Sequence, residues 1–317
     1  MKGINHLVLA GHDLEAMRSQ YAGLGFTVTP RGQHPFGTGN SLIQLNGSYL
    51  ELLAVTAPQD IPEHRAGHFS FAAFNRDYLA RHEGFSMLVL DTPDARADGK
   101  AWRAAGLQTY EPFDFSRTAR LADGQEITVS FSLAFVSHPA APRLGLFACQ
   151  HHTPGYFAQP RYMQHGNGAT AVADVWIVGD TAPDLAGFMQ TITGAKTISE
   201  DPAISDDPSV TTLQTRISAI VLARPPAFES AFGLAAPHPQ DGPHLAALTL
   251  ACEGLGHEGL GHEGLGHEGL GHEGLGHEGL GHEGLGQLAD LPKVGNRHVL
   301  APEKNFGTAI GFVTTKR

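Results

Sequence analysis

The sequence predicts an α+β protein made of repeated βαβββ modules, four in number, that pair into cupped mixed sheets. Three observations carry this expectation. A short apolar strand, an Asp, a helix-length segment and a glycine stop occur in that order near residues 4–25, and the order recurs from 85 and from 172. Each copy then continues into strand-like runs. In the first copy, Asn46-Gly47 joins two such runs, and this dipeptide suits a tight hairpin turn.

Taken in order, Ile4–Leu9 is a short apolar strand. Asp13 can cap a helix over 14–23, with Leu14, Met17, Tyr21 and Ala22 near one face and Gly23 and Gly25 ending it. Phe26–Thr29 is β-prone, and Ser41–Leu45 and Tyr49–Val55 flank the turn. A strand, helix and strand followed by a hairpin give a curled sheet with one concave face. The second copy starts at Phe85–Leu90, where MLVLDTPD aligns with HLVLAGHD. Its helix spans 94–105, and Thr128–Val136 and Leu144–Gln150 are its later strands. The third copy starts at Val172–Val178 and returns at Ile217–Ala223. The fourth starts at Leu245–Ala251 and ends at Gly307–Val313. Residues 57–83 read as a connection, and 151–168 as a linker or a loop bordering a site. The expected division is 1–168 and 169–317.

One segment distorts the composition of the 317 residues. Residues 253–287 are seven copies of Glu-Gly-Leu-Gly-His, with Gln287 in place of the last His. They hold 14 of the 39 Gly, 6 of the 19 His and 7 of the 32 acids. Removing those seven acids changes the net charge from −11 to −4. The remainder is nearly balanced and has no basic stripe, which argues against nucleic acid as a partner. A period of five matches neither helix nor strand, so the seven Leu share no face. The repeat reads as a tandem duplication, with 253–282 an exposed, poorly ordered insertion in the fourth module. Loose collection of divalent cations is the functional alternative. The histidines of HEGLGH are five apart, which breaks the spacing of a zinc-binding HExxH helix.

No run of about 18 apolar residues exists, so no membrane-spanning helix is expected. The N-terminus is a poor signal peptide, because His12 and Asp13 interrupt its apolar stretch. Cys149 and Cys252 form no CxxC, so a disulfide framework is not expected and a reducing cytoplasm is the default location. No Walker loop, GxSxG or dinucleotide fingerprint is present.

The chemistry concentrates in the first copy. His6, Val8 and Ala10 share one strand face, as do Tyr49, Glu51 and Leu53. A carboxylate inside YLELLAV needs a partner. An imidazole and a carboxylate facing one cavity suit Zn, Fe, Mn or Ni as a divalent cofactor. The plainer alternative pairs Glu51 with an Arg or a polar group in the sheet. His34, Thr38 and Asn40 lie in HPFGTGN, which either lines a site or is a polar turn. Arg117 and Arg120 in FSRTARLADGQE could bind an anion, but a solvated turn is the favoured reading. Trp102 and Trp176 are expected in the core.

INHLVLAGHDLEAMRSQYAGLGF, HPFGTGNSLIQLNGSYLELLAV, and CQHHTPGYF with HGNGATAVADVWIV together resemble a glyoxalase-like member of the vicinal oxygen chelate superfamily. The resemblance is best over 4–180. It implies paired modules around a divalent metal, with a His on a module's first strand and a Glu on its last. His6 and Glu51 occupy those positions. The other modules show Met87, Asp174 and Ala247 in place of the His. Near Ala148, Ser218 or Ala219, and Ala309 they show no Glu. The missing ligands are therefore sought among Gln150, His151, His152, His82 and Glu83, with His152 taken as a third metal ligand. Extended, His151 and His152 point to opposite faces, so at most one meets the cavity.

On this resemblance Glu51 is a ligand or a mobile base, and His34 or His152 a proton carrier. Thr38, Asn40 and Gln150 line the substrate pocket. The implied function is a metal-dependent lyase, isomerase or dioxygenase acting on a small oxygen-bearing metabolite. The alternative is a metal-free protein of the same fold that binds or sequesters a small molecule. A homodimer is compatible with either, and a membrane partner with neither.

Overall fold

The computed structural model describes residues 1–120, 126–156, 159–180, 183–198, 210–255 and 288–314. The first module is β1 (Ile4–Ala10), α1 (Leu14–Gly23), β2 (Gly32–Gln33), β3 (Thr38–Leu45) and β4 (Ser48–Val55). Asp13 caps α1 by accepting from the backbone N–H groups of Glu15 and Ala16 at 2.9 and 3.0 Å. Gly47 turns the hairpin at φ 78°, a left-handed value that a Cβ disfavours. The connection that follows folds as α2 (Phe71–Leu79), capped by Ser70 Oγ on the Ala73 N–H at 3.1 Å.

The second module is β5 (Gly84–Asp91), α3 (Ala95–Ala104), β6 (Gln108–Thr109), β7 (Phe113–Arg120), β8 (Glu126–Ser137) and β9 (Gly145–His151). The third is β10 (Ala169–Val178), α4 (Pro183–Thr193), β11 (Lys196–Ile198), β12 (Val210–Gln214) and β13 (Ala219–Ala223), followed by α5 (Pro225–Phe232). The fourth is β14 (His244–Cys252), β15 (Lys293–Val294), β16 (Arg297–Leu300) and β17 (Ala309–Thr314).

Two mixed sheets result. The first runs β2-β3-β4-β1-β5-β9-β8-β6, with β7 also on β8. The second runs β11-β12-β13-β10-β14-β17-β16-β15. Within each module the first and last strands pair in parallel, and the two modules of a sheet join through antiparallel first strands.

Strand alternation sends one face of each sheet into a common core. Leu7, Leu9, Leu50, Leu52 and Leu88 from the first sheet pack in one cluster with Val175, Ile177, Leu222, Leu248 and Leu250 from the second. Met17 and Tyr21 of α1, Leu185 and Met189 of α4, and Trp102 complete it. Backbone bonds also cross between the sheets, from Asn46 N to Thr170 O and from Lys2 N to Thr193 O, both at 2.8 Å. The Phe85 N–H donates to Thr308 Oγ1 at 3.1 Å.

The concave faces differ. In the second sheet α5 lays Phe228 and Phe232 against Trp176, with the Phe232 and Trp176 rings edge-to-face at 5.3 Å, and the cup is filled. In the first sheet a recess remains.

Three local expectations change. Phe26–Thr29 is not a strand; Thr29 alone touches β3 there, its N–H on Leu42 O and its Oγ1 accepting from Leu42 N among the described residues, and the edge strand is β2. The FSRTAR segment belongs to β7 and is not a turn, because Phe113, Phe115 and Arg117 alternate along a strand paired to β8. The 57–83 connection contains a helix. Between β14 and β15 lie forty residues, whereas the corresponding crossovers in modules one to three have 21, 16 and 17. Residues 256–287 of the repeat lie outside the described residues, and so does the expectation about their order. Leu255 and Leu288, on either side, are both buried in the common core.

Candidate functional site

The first cup is lined by alternate residues of β1, β3, β4, β8 and β9. The parallel register sets Val8 beside Glu51 and His6 beside Tyr49, so both functional side chains emerge on the concave face. The His6 ring stacks on Tyr49 at 4.3 Å, and its Nε2 lies 3.4 Å from Glu51 Oε2. A register shift between Ile4 and His6 in the pairing with β5 bulges β1 at this point. There Asn5 Oδ1 accepts from His6 Nδ1–H at 2.7 Å and from His151 Nε2–H at 3.4 Å.

The 34–40 segment supplies the opposite wall. Gly37 has φ 91°, its carbonyl accepts from the N–H groups of Thr56 and Ala57, and a Cβ there would sit 2.5 Å from Ala57 O. This tight turn brings His34 over Glu51, with Nε2 3.8 Å from Oε1. Asn40 Nδ2 donates to Glu51 Oε1 at 2.6 Å and lies 3.4 Å from His34 Nε2. That nitrogen is therefore an acceptor, and His34 Nδ1–H donates to Thr38 Oγ1 at 2.8 Å. Phe36, Phe71, Phe115, Phe131 and Phe147 close a narrow recess over these groups.

Burial pushes His6 below the ordinary histidine range and His34 down to about 4, against the pull of Glu51. Burial alone would raise Glu51. When acid protonates the two rings, the hydrogen bond from His6, the charge of His34 and the Asn40 amide hold it at about 2. The pair is thus a neutral imidazole beside an ionised carboxylate. The Cys149 thiol is pushed up by burial and by Glu51, and stays protonated.

His6, His34, Thr38, Asn40 and Glu51 therefore come together, but His152 and Gln150 do not join them. On β9 the cup face carries Phe147, Cys149 and His151, and the opposite face carries Gln150 and His152. Gln150 Oε1 accepts from Ala95 N at 3.2 Å, and the exposed His152 donates from Nε2–H to Ser132 Oγ at 2.9 Å, whose own proton goes to Asp114 Oδ1. The proposed third ligand thus lies on the wrong side of the sheet. His151 is the one beside His6, and burial and that ring lower it to about 4. His82 instead pairs with Asp241 at 2.5 Å, and Glu83 accepts from His12 N at 2.8 Å.

Arg117, weighed from sequence as an anion binder but read as part of a solvated turn, is a residue of the site. It lines the recess, and burial lowers it while Glu51 and Tyr49 act in the opposite sense. The side chain of Arg120 lies outside the described residues. The register also moves the positions equivalent to Glu51, which are Phe147, Val221 and Gly311 rather than Ala148, Ser218 or Ala219, and Ala309.

These positions test the fit of a divalent metal. Met87 and Phe147 in the partner module are apolar, and Asp174 in the second sheet accepts from Trp176 Nε1 at 2.7 Å. Among the described residues no three His, Cys, Asp or Glu side chains converge on a metal position. The Asn40 amide fills the gap between His34 and Glu51, which leaves His6 and Glu51 as a two-ligand set. A catalytic metal ordinarily takes three protein ligands, so these residues do not fit one.

One solved structure shares the fold over its full length, and others match parts of it. A hypothetical protein from Staphylococcus aureus, 12% identical, superposes with a TM-score of 0.66 over 99% of this chain and 100% of its own. Methylmalonyl-CoA epimerase from Streptomyces coelicolor, 21% identical, matches 48% of this chain and 96% of its own at a TM-score of 0.34. A xylose isomerase-like TIM barrel/4-hydroxyphenylpyruvate dioxygenase fusion protein, 15% identical, matches 79% of this chain and 37% of its own at 0.48. No curated protein sequence matches the chain. The glyoxalase-like domain matches residues 4–193, which includes the whole cup and all its polar residues. The chain belongs to the glyoxalase-like domain family.

Proposed function

We propose that the first cup is the active site of an isomerase- or lyase-type enzyme that moves a proton on a small oxygen-bearing metabolite, with Glu51 as base and without a resident metal. The observation that carries this reading is the approach of His6 Nε2 to Glu51 Oε2, 3.4 Å, in a buried recess. Because Asn5 Oδ1 takes the His6 Nδ1–H, a neutral His6 turns a lone pair toward the carboxylate. Two electron-rich atoms at that separation are a receptor for one proton. A proton taken from the carbon beside a substrate carbonyl goes to Oε2, is shared with Nε2, and returns to a neighbouring atom. Asn40 holds the other carboxylate oxygen and fixes the rotamer, while His34 and Thr38 orient Asn40. The phenylalanine rings exclude water and keep the base desolvated.

The test is solvent-deuterium exchange, followed by proton NMR, on a panel of small carbonyl compounds after exhaustive chelation. Exchange should persist without metal and should fall by about 100-fold or more in Glu51→Gln, the usual scale of a positioned base. Loss of exchange on chelation, with recovery on adding one metal, would overturn the metal-independent part. The narrow aromatic recess also suits retention without turnover, and binding without exchange would select that reading.

A further inference from the structure

Two hollows meet at Arg117. One is the recess over Glu51. The other is an open groove that includes Arg31, Gln33, Gln44 and Gln159. Asn40, Leu42 and Arg117 line both, so they form the threshold between them. Arg117 projects from β7, the strand that joins its sheet only through β8. Its guanidinium lies over Gly32, where a Cβ would come within 3.3 Å of Nη1 and 2.7 Å of Asn40 Oδ1.

The hydrogen-bonding state of this cation is unusual. Arg117 Nε is buried, and no acceptor among the described residues takes its proton. Glu51 is close enough to influence the guanidinium, but its Oε1 is held by Asn40 and its Oε2 faces His6 Nε2. A buried donor on a charged group that lacks an acceptor is costly. The arrangement is relieved when a ligand brings an anionic oxygen to the threshold. Immediately inside, Phe36, Phe71, Phe115, Phe131 and Phe147 offer ring faces and edges. They favour a flat or branched apolar body.

We infer that the ligand of this cup is a small carboxylate with an aromatic or branched apolar body, its carboxylate seated on Arg117 and its body among the phenylalanines. This rests on the reading of the cup as the active site and adds the substrate class to it. The planar guanidinium can hold both carboxylate oxygens. The carbon next to the carboxylate then faces the recess, toward Glu51.

The experiment is calorimetric titration of the full chain with phenylacetate, phenylpyruvate, phenylacetamide and acetate. Phenylacetate and phenylpyruvate should bind at least about tenfold more tightly than phenylacetamide, the scale of one charge-assisted pair. Acetate should bind more weakly than phenylacetate. Arg117→Met should erase the preference for acid over amide while leaving amide affinity within about twofold, since the rings remain. Arg117→Lys should keep part of the preference, and circular dichroism checks that both variants fold. An amide that binds as well as its acid, an Arg117→Met protein that keeps the preference, or a wild-type protein that binds none of the aromatic acids would each overturn the inference. Binding needs no turnover, so this outcome is independent of exchange. Arg117-dependent acid binding with exchange unaffected by Glu51→Gln would refute the proposed base and leave the ligand class standing.

Discussion

Replacing Asp241 by alanine should cost about 3 kcal/mol of stability, the lower end for breaking a buried ion pair. The Asp241 side chain is only 1% exposed and lies where the two sheets meet. Its Oδ2 takes His82 Nε2 at 2.5 Å and lies 3.3 Å from Arg143 Nε, while Arg81 approaches Oδ1 at 3.2 Å. Arg81 is half exposed and can return to water. Arg143 cannot, because its side chain is 9% exposed, with the guanidinium over the Tyr78 ring and Nη2 on Tyr78 O at 3.0 Å. Those two contacts keep the cost at the lower end of the range. Asp241→Asn keeps an acceptor for His82 and should cost about half as much. The decisive comparison is Asp241→Ala with Arg143→Met in one chain. Removing both charges should restore at least about 1 kcal/mol relative to Asp241→Ala alone. Urea unfolding at pH 7 of the wild type, the two Asp241 variants, the Arg143→Met single and the double variant gives these values. A loss below 1 kcal/mol for Asp241→Ala, or single effects that simply add, would refute the reasoning.

Acid should destabilise the protein before its carboxylates titrate. His34 drops from 6.5 to about 4 on folding, so the unfolded chain binds more protons in that window. Its contribution is fully present above pH 6.5 and falls as the pH drops toward 4, by about 2 kcal/mol between pH 7 and 5; His151 acts in the same direction, and urea midpoints that do not move would contradict this. His152→Ala should leave ligand affinity unchanged and stability within about 0.5 kcal/mol. His151→Ala should weaken exchange by freeing Asn5, and titration and NMR on both variants would show the contrast. Deleting residues 253–277 leaves fifteen residues between β14 and β15, close to the crossovers of the other modules, with Leu280 able to replace Leu255. That deletion should leave folding near wild type, and a loss above about 2 kcal/mol in urea would show that the repeat supports the fold.

Much of the architecture was legible because it rests on local signals. The Asp13 cap, the Asn46-Gly47 turn and the parity of His6 and Glu51 are readable from spacing alone. The face of β9 was not. Phe147 and Cys149 are as apolar as Leu146 and Ala148, so both faces look buried, and only the pairing shows that His151 shares the face of Phe147 and Cys149. Arg117 carried a usable signal, the alternation of Phe113, Phe115 and Arg117, but a neighbouring Asp-Gly drew the segment toward a turn reading. Filling of the second cup was not legible, since Phe228 and Phe232 lie more than fifty residues from Trp176 and nothing local aims them at it.

The common core has a practical consequence for the boundaries of this family. The domain match ends at residue 193, the last residue of α4. A chain cut there would keep β10 but lose both of its neighbours, β13 and β14, along with Leu222, Leu248 and Leu250. Such a fragment would present two unpaired strand edges and an open apolar face, the usual conditions for aggregation. The length of chain that similarity recognises is therefore shorter than the length that can be expressed, purified or transplanted as a working part.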